Sequence, residues 1–166
     1  MELVKITGGI MLVVCGALAG LYAAGRFRDR VKLCEQYLIF LNRAKTALGY
    51  TAPGVRELLE PDIDAPQLSP VMRDAAELMD DGMEFRDAWI SAVGINVQDS
   101  SDRELICRFG ESFGTSNISG ELNKLSLHME LVKEHLDMMK EELKTKRKLY
   151  RIVGMFGGVL TAVLLL

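Results

Sequence analysis

Two charge-free apolar runs, residues 6–25 and 152–166, stand at the two ends of this 166-residue chain, and the stretch between them is rich in charge. The first run has 20 residues. As a helix rising 1.5 Å per residue it matches the roughly 30 Å hydrocarbon core of a bilayer. It opens with only Glu2 and Lys5, and a basic cluster follows at once, which is the pattern of a retained anchor rather than a cleaved leader. A cleavage-like Ala17-Leu18-Ala19 and a lipoprotein-like Leu12-Val13-Val14-Cys15 compete with that reading. The second is the weaker, because the residue before such a cysteine is normally small. The second run has 15 residues, about 22 Å of helix, short of a full span unless Lys148 and Arg151 snorkel or the bilayer thins.

Charge placement sets a direction. Arg26, Arg28, Arg30 and Lys32 stand against Asp29, and Lys144, Lys146, Arg147, Lys148 and Arg151 have no acid among them. These stretches together carry +8, which leaves −11 on residues 33–143 of a chain whose net charge is −3. Both clusters lie on the inner side of their apolar runs, so the positive-inside bias places residues 26–151 in the cytoplasm. The expected domains are an anchor at 1–25, a cytoplasmic helical domain at 26–151 and an apolar membrane helix at 152–166. Gly16 with Gly20, and Gly154 with Gly158, are spaced for close helix packing in lipid. An acidic body lacks the basic footprint a nucleic-acid binder needs.

Helical periodicity dominates the interior. Phe27, Val31, Cys34, Leu38, Leu41 and Leu48 recur at alternating four- and three-residue steps, with Lys45 as the polar lapse. Ile118, Leu122, Leu125, Met129, Val132, Leu136, Met139 and Leu143 do the same without a lapse. Each is an apolar seam on a long helix, and the two helices are expected to be antiparallel neighbours, with Leu125, Val132 and Leu136 packed on the 27–48 seam. Shorter helices are expected between them. One runs from Thr51 as cap to Leu59 with Pro53 in its first turn, followed by a proline-rich loop over 60–70. Others cover 71–79, stopped near Gly82, then 85–93 with Trp89 and Ile90 on one face, and 105–113 behind a Ser101/Glu104 capping box. No stretch alternates with period two, so the fold class is all-α, a helical bundle.

Reaction chemistry is not legible in this pattern. There is no phosphate-binding GxxxxGK[ST] loop, so the chain is not itself an ATPase. His128 and His135 lie seven apart on one helix, about 10 Å along its axis, and read as rim residues beside the seam. Cys15, Cys34 and Cys107 form no CxxC pair, so no zinc site or disulfide framework is signalled, and three unpaired thiols fit a reducing compartment. No cofactor, metal or small-molecule substrate is expected. The motif singled out is Phe109-Gly110-Glu111-Ser112-Phe113-Gly114. Gly110 and Gly114, read as four apart on one short helix, permit close approach of another helix, and Arg108 and Glu111 project beside them as a candidate partner-docking surface. Tight packing alone is the competing explanation.

The stretch FGESFGTSN, the heptad helix after it and KLYRIVGMFGGVLTAVLLL resemble the stage III sporulation protein AB family. So do RFRDR after the first apolar run, ALGYTAPGVRELL, and MDDGMEFRDAW ending at Trp89. The resemblance covers nearly the whole chain. It implies membrane segments at both ends and a soluble part similar to the cytoplasmic domains of F-type platform proteins of type II secretion. A glycine before a short helix, at Gly49 and Gly82, is similar to those domains. The resemblance also implies a non-enzymatic part in the sporulation channel between mother cell and forespore. There the protein would link a secretion-type cytoplasmic ATPase to membrane and ring components of the channel. A membrane-tethered helical regulator of a soluble enzyme is the alternative.

Overall fold

In the computed structural model the described backbone covers residues 2–51, 54–59 and 65–164, and side chains are described for 22, 24–51, 54–59 and 65–145. Six helices follow in order: α1 (Glu2–Tyr50), α2 (Val55–Leu58), α3 (Ser69–Asp80), α4 (Phe85–Asn96), α5 (Ser100–Ser112) and α6 (Ile118–Leu164). Among the described residues there is no strand, and the fold is all-α. The chain divides into two compact units, residues 1–29 with 138–166, and residues 30–137. The first unit holds the opening stretch of α1 and the closing stretch of α6. Among the described residues no helix is long and apolar enough to cross a membrane. Most of residues 6–25, all of 152–166 and the pairs Gly16/Gly20 and Gly154/Gly158 lie outside the residues whose surroundings are described.

Helix boundaries in the second unit follow local chemistry. α1 runs without a proline until Tyr50, where Thr51 turns back: its N–H donates to the Ala47 carbonyl at 2.9 Å and its hydroxyl to the same oxygen at 3.1 Å. Thr51 therefore closes α1 rather than capping the next helix. α2 is a single turn that opens at Gly54 without a side-chain cap, shorter than the expected 51–59, and Pro53 lies outside the described residues. α3 opens earlier than expected because Pro70 sits in its first turn, where a missing N–H costs nothing. Its start is fastened to α1 by Gln36, whose Oε1 accepts the Gln67 and Leu68 N–H groups at 2.9 and 3.1 Å. Its stop at Gly82 is as expected. With φ at +95°, Gly82 donates to Met79 and Met83 donates to Leu78, both at 3.0 Å, a pair of bonds that satisfies two terminal carbonyls. α5 is capped not by Ser101 but by Asp99, whose carboxylate accepts the Ser101 and Asp102 N–H groups, so the helix begins at Ser100. The charged Asp99 carboxylate accepts from both amides and suits the positive end of the helix.

Burial widens the seams. On α1, Val31, Cys34 and Leu41 are buried, and so are Leu33, Tyr37, Phe40 and Ala44. The helix therefore presents a broad apolar face rather than a coiled-coil stripe, and Ala44 is buried beside the Lys45 lapse. On α6, Leu125, Val132 and Leu136 are 2%, 0% and 4% exposed, and Leu125 and Val132 share one core with Leu33, Tyr37, Phe40 and Leu41. Ile118, the first residue of that seam, is instead exposed. The antiparallel arrangement is fixed by two polar rungs. Arg30 and His135 both bind Asp102, and the Tyr37 hydroxyl lies 2.8 Å from His128 Nε2. Rising from 30 to 37 on α1 thus matches descending from 135 to 128 on α6. The seven-residue histidine spacing puts both rings on the side of α6 that faces α1.

The Tyr37–His128 rung carries a pH signature. Burial pushes the His128 imidazole down to about 4, helped by the Arg108 charge, and burial holds the Tyr37 hydroxyl well above its usual range. With His128 neutral, the arrangement that satisfies both groups has Tyr37 O–H donating to Nε2. An unfolded histidine takes up its proton near pH 6.5, so the unfolded state binds the proton first as pH falls. His128 therefore withholds no stability above pH 6.5, and stability declines progressively from 6.5 down to about 4. The predicted span is on the order of 2 kcal/mol. Unfolding of the chain and of a His128→Gln variant at pH 7.5 and 4.5 checks it. The parent should lose more stability over that interval, and parallel losses would contradict the assignment.

Candidate functional site

The 109–114 motif divides in two. Gly110 is buried on α5, and a Cβ built there would lie 2.5 Å from Trp89 Cδ1 and 2.9 Å from Cγ. The glycine is the floor on which the indole rests. Trp89 is fully buried on α4 and donates from Nε1 to the Ile106 carbonyl at 2.9 Å, one turn before Gly110. Around it, Phe109 lies 5.2 Å away ring to ring, Phe40 5.8 Å and Phe85 5.9 Å, with Phe113 a further 4.8 Å from Phe109. The close approach at Gly110 therefore serves the domain's own core. Gly114 is not on the same helix: α5 ends at Ser112, and Gly114 turns the chain with φ at +81°.

That turn is locked from α6. The Glu121 carboxylate, 4% exposed, accepts the Gly114 N–H at 3.0 Å and the Ser116 N–H at 2.8 Å, and Lys124 pairs with it at 3.3 Å. Burial alone would raise the Glu121 carboxyl, but the two amides and the lysine outweigh it and hold it below its usual range. Asn117 caps α6 by accepting the Gly120 N–H at 2.9 Å. On the outer surface, Arg108 and Glu111 are exposed, with Arg108 paired to Glu104 one turn back at 2.7 Å. Arg108, engaged with Glu104, and Glu111 both lie on the outer surface, whereas Gly110 lies inward against Trp89 and Gly114 forms the turn after α5.

A second cluster was not visible as such in sequence. Asp102, in the first turn of α5, is fully buried. Arg30 grips it with two nitrogens, Nε to Oδ2 at 2.6 Å and Nη2 to Oδ1 at 3.0 Å. His135 Nε2 lies 2.8 Å from Oδ1, and Arg30 also pairs with the capping Asp99 at 2.8 Å. Asp102 strengthens the charge-assisted bond that raises Arg30 further. Burial would raise Asp99, and its bonds from Ser101, the Asp102 N–H and Arg30 hold it down. Cys34 completes the cluster: its sulfur and the ligand atoms of Asp102 and His135 all lie within 4.8 Å of one another. Burial, reinforced by the Asp102 charge, pushes the Cys34 thiol up to about 12, so it is no thiolate nucleophile at neutral pH. Cys107 is half-buried, and its thiol is raised by burial and by Glu111. Cys15 lies outside the residues whose surroundings are described. Neither histidine is idle on the rim, because each anchors a polar rung. Residues 34, 102 and 135 are too far apart in sequence for any spacing rule, and the one local hint was a pair of acids, Asp99 and Asp102, at a helix start.

A family model described as stage III sporulation protein AB matches residues 5–166. No curated protein and no solved structure matches the chain.

Gly110→Ala is predicted to destabilise the domain by about 1–3 kcal/mol, because the indole must leave its seat. Thermal or urea unfolding with tryptophan fluorescence checks it. An unchanged midpoint would show that Trp89 can move at no cost.

Proposed function

We propose a non-enzymatic role for this chain, which belongs to the stage III sporulation protein AB family over residues 5–166: a membrane platform of the sporulation channel. The coarse part, a role in stage III of sporulation, follows from the family. In the finer reading, residues 26–151 form a cytoplasmic domain tethered by apolar helices at 1–25 and 152–166. This domain, similar to F-type secretion platforms, links a secretion-type cytoplasmic ATPase to membrane and ring components between mother cell and forespore. The observation that supports it most is the division of charge, +8 in the two basic clusters and −11 on residues 33–143. Such a division favours anionic lipid at one end and a cytoplasmic protein at the other. The side chains in the interior are engaged in packing and in paired ions, which suits a rigid scaffold.

The surface offered to the ATPase is Arg108 and Glu111 on α5, supported by Gly110 beneath Trp89 and by Gly114 at the turn into α6. Exposed charges at an interface rim govern association rate and salt dependence, so recruitment weakens as salt rises. Glu111→Lys is predicted to abolish recruitment of the ATPase in a membrane pull-down from sporulating cells, with the melting temperature nearly unchanged. Loss of the fold would show that Glu111 is structural. Intact folding with intact recruitment and sporulation would place the docking surface elsewhere. A membrane-tethered regulator of a soluble enzyme is the second reading, and the same pull-down separates them by what is captured.

A further inference from the structure

The geometry points to a zinc-binding site formed by Cys34, Asp102 and His135. The three side chains come from α1, α5 and α6, and their sulfur, oxygen and nitrogen ligand atoms converge within 4.8 Å of one another. Cys34 and Asp102 are fully buried, and the His135 side chain is 20% exposed, so the cluster is enclosed on the core side and open at the histidine edge. One thiolate, one carboxylate and one imidazole are a donor set suited to Zn2+, whose tetrahedral bonds place neighbouring ligand atoms roughly 3.3–3.6 Å apart. From a cluster already within 4.8 Å, that spacing is reached by side-chain movements on the order of an ångström, in which His135 Nε2 backs away from Oδ1, now 2.8 Å distant. The fourth position faces the open histidine edge and takes a water.

Arg30 is the group that competes, and it already has somewhere to go. When Oδ1 turns to the ion, Nε keeps its 2.6 Å bond to Oδ2 and orients the carboxylate from behind. Nη2, released from Oδ1, retains Asp99 at 2.8 Å and has Ser101 Oγ at 3.4 Å. Charge closes as well. The ion and Arg30 bring three positive charges, and the Cys34 thiolate, Asp102 and Asp99 bring three negative ones. On binding, the Cys34 S–H bond breaks as the S–Zn bond forms, and its proton leaves to solvent. His135 Nε2, which donates its proton to Oδ1 in the empty site, gives that proton to solvent as its lone pair turns to the ion, and Nδ1 takes a proton from solvent, so the imidazole stays neutral and only changes tautomer. No electron changes hands. The ion would tie three helices at one point and so make the rigidity of the domain depend on zinc supply.

The test is titration of the full-length, untagged chain in detergent with Co2+ as the spectroscopic stand-in, followed by displacement with Zn2+. One equivalent should produce a thiolate-to-cobalt charge-transfer band and the intense visible bands of a tetrahedral site, and Zn2+ should erase both. Cys34→Ser should abolish the charge-transfer band and weaken binding by about 100-fold. His135→Gln, which can keep the hydrogen bond to Asp102 through its amide and so preserve the fold, should weaken binding about 10- to 100-fold. Cys107→Ser should change nothing. The proposal is overturned if stoichiometric Co2+ gives no charge-transfer band, if the band survives Cys34→Ser, or if His135→Gln binds as the parent does. Should Cys34→Ser lose its helical circular dichroism, the His135→Gln and Cys107→Ser pair decides alone.

Discussion

Asp102 is an ionised group inside a helical core, and the geometry of this domain is organised around making it tolerable. Moving a carboxylate out of water costs several kcal/mol unless its charge and lone pairs are met. Here they are met from two long helices at once, by Arg30 on α1 and by His135 on α6, while the start of α5 supplies a favourable dipole. Removing either partner would strand a buried charge, so the ion cluster specifies how α1, α5 and α6 must sit within residues 30–137. Apolar seams alone would tolerate a slip of one heptad between the long helices. The Arg30–Asp102–His135 rung and the Tyr37–His128 rung do not, because both must form together.

The aromatic core completes what the ions begin. Trp89 needs a neighbour without a side chain, an acceptor for its indole N–H and rings on its open faces. Gly110, the Ile106 carbonyl and Phe40, Phe85 and Phe109 provide them. The same α5 that buries Gly110 and Phe109 inward carries Arg108 and Glu111 outward. A packed interior thereby holds a charged surface in a fixed orientation, as the proposed platform role would require.

The all-helical class, the two long seams and the Gly82 stop were legible in the residues, because each is a local rule written many times over. The ends of the short helices were less so. Ser101 and Asp99 are both good caps, and the choice between them depended on which side chain reached the amides. Thr51 could equally close one helix or open the next. The polar cluster was illegible for a different reason. Arg30 counted among the basic residues beside an apolar run, yet it is spent largely on Asp102 and Asp99, so the outward positive charge of that stretch is smaller than its composition implies. Cys34 read as a seam residue and is one, and only the fold shows which groups its sulfur meets. In the 109–114 motif the close approach expected at Gly110 is present, but the neighbour is the domain's own Trp89, and Gly114 lies in the turn beyond α5 rather than one helical turn along it.

Everything in the functional account rests on the folded domain standing on the cytoplasmic face of the membrane. Labelling with a membrane-impermeant thiol reagent tests this most directly, using an Asp137→Cys variant whose new thiol stands at an exposed position, compared with the parent chain. The account predicts no added labelling in intact cells and full labelling once the cells are opened. Added labelling of Asp137→Cys in intact cells would put the domain on the other side and contradict the platform.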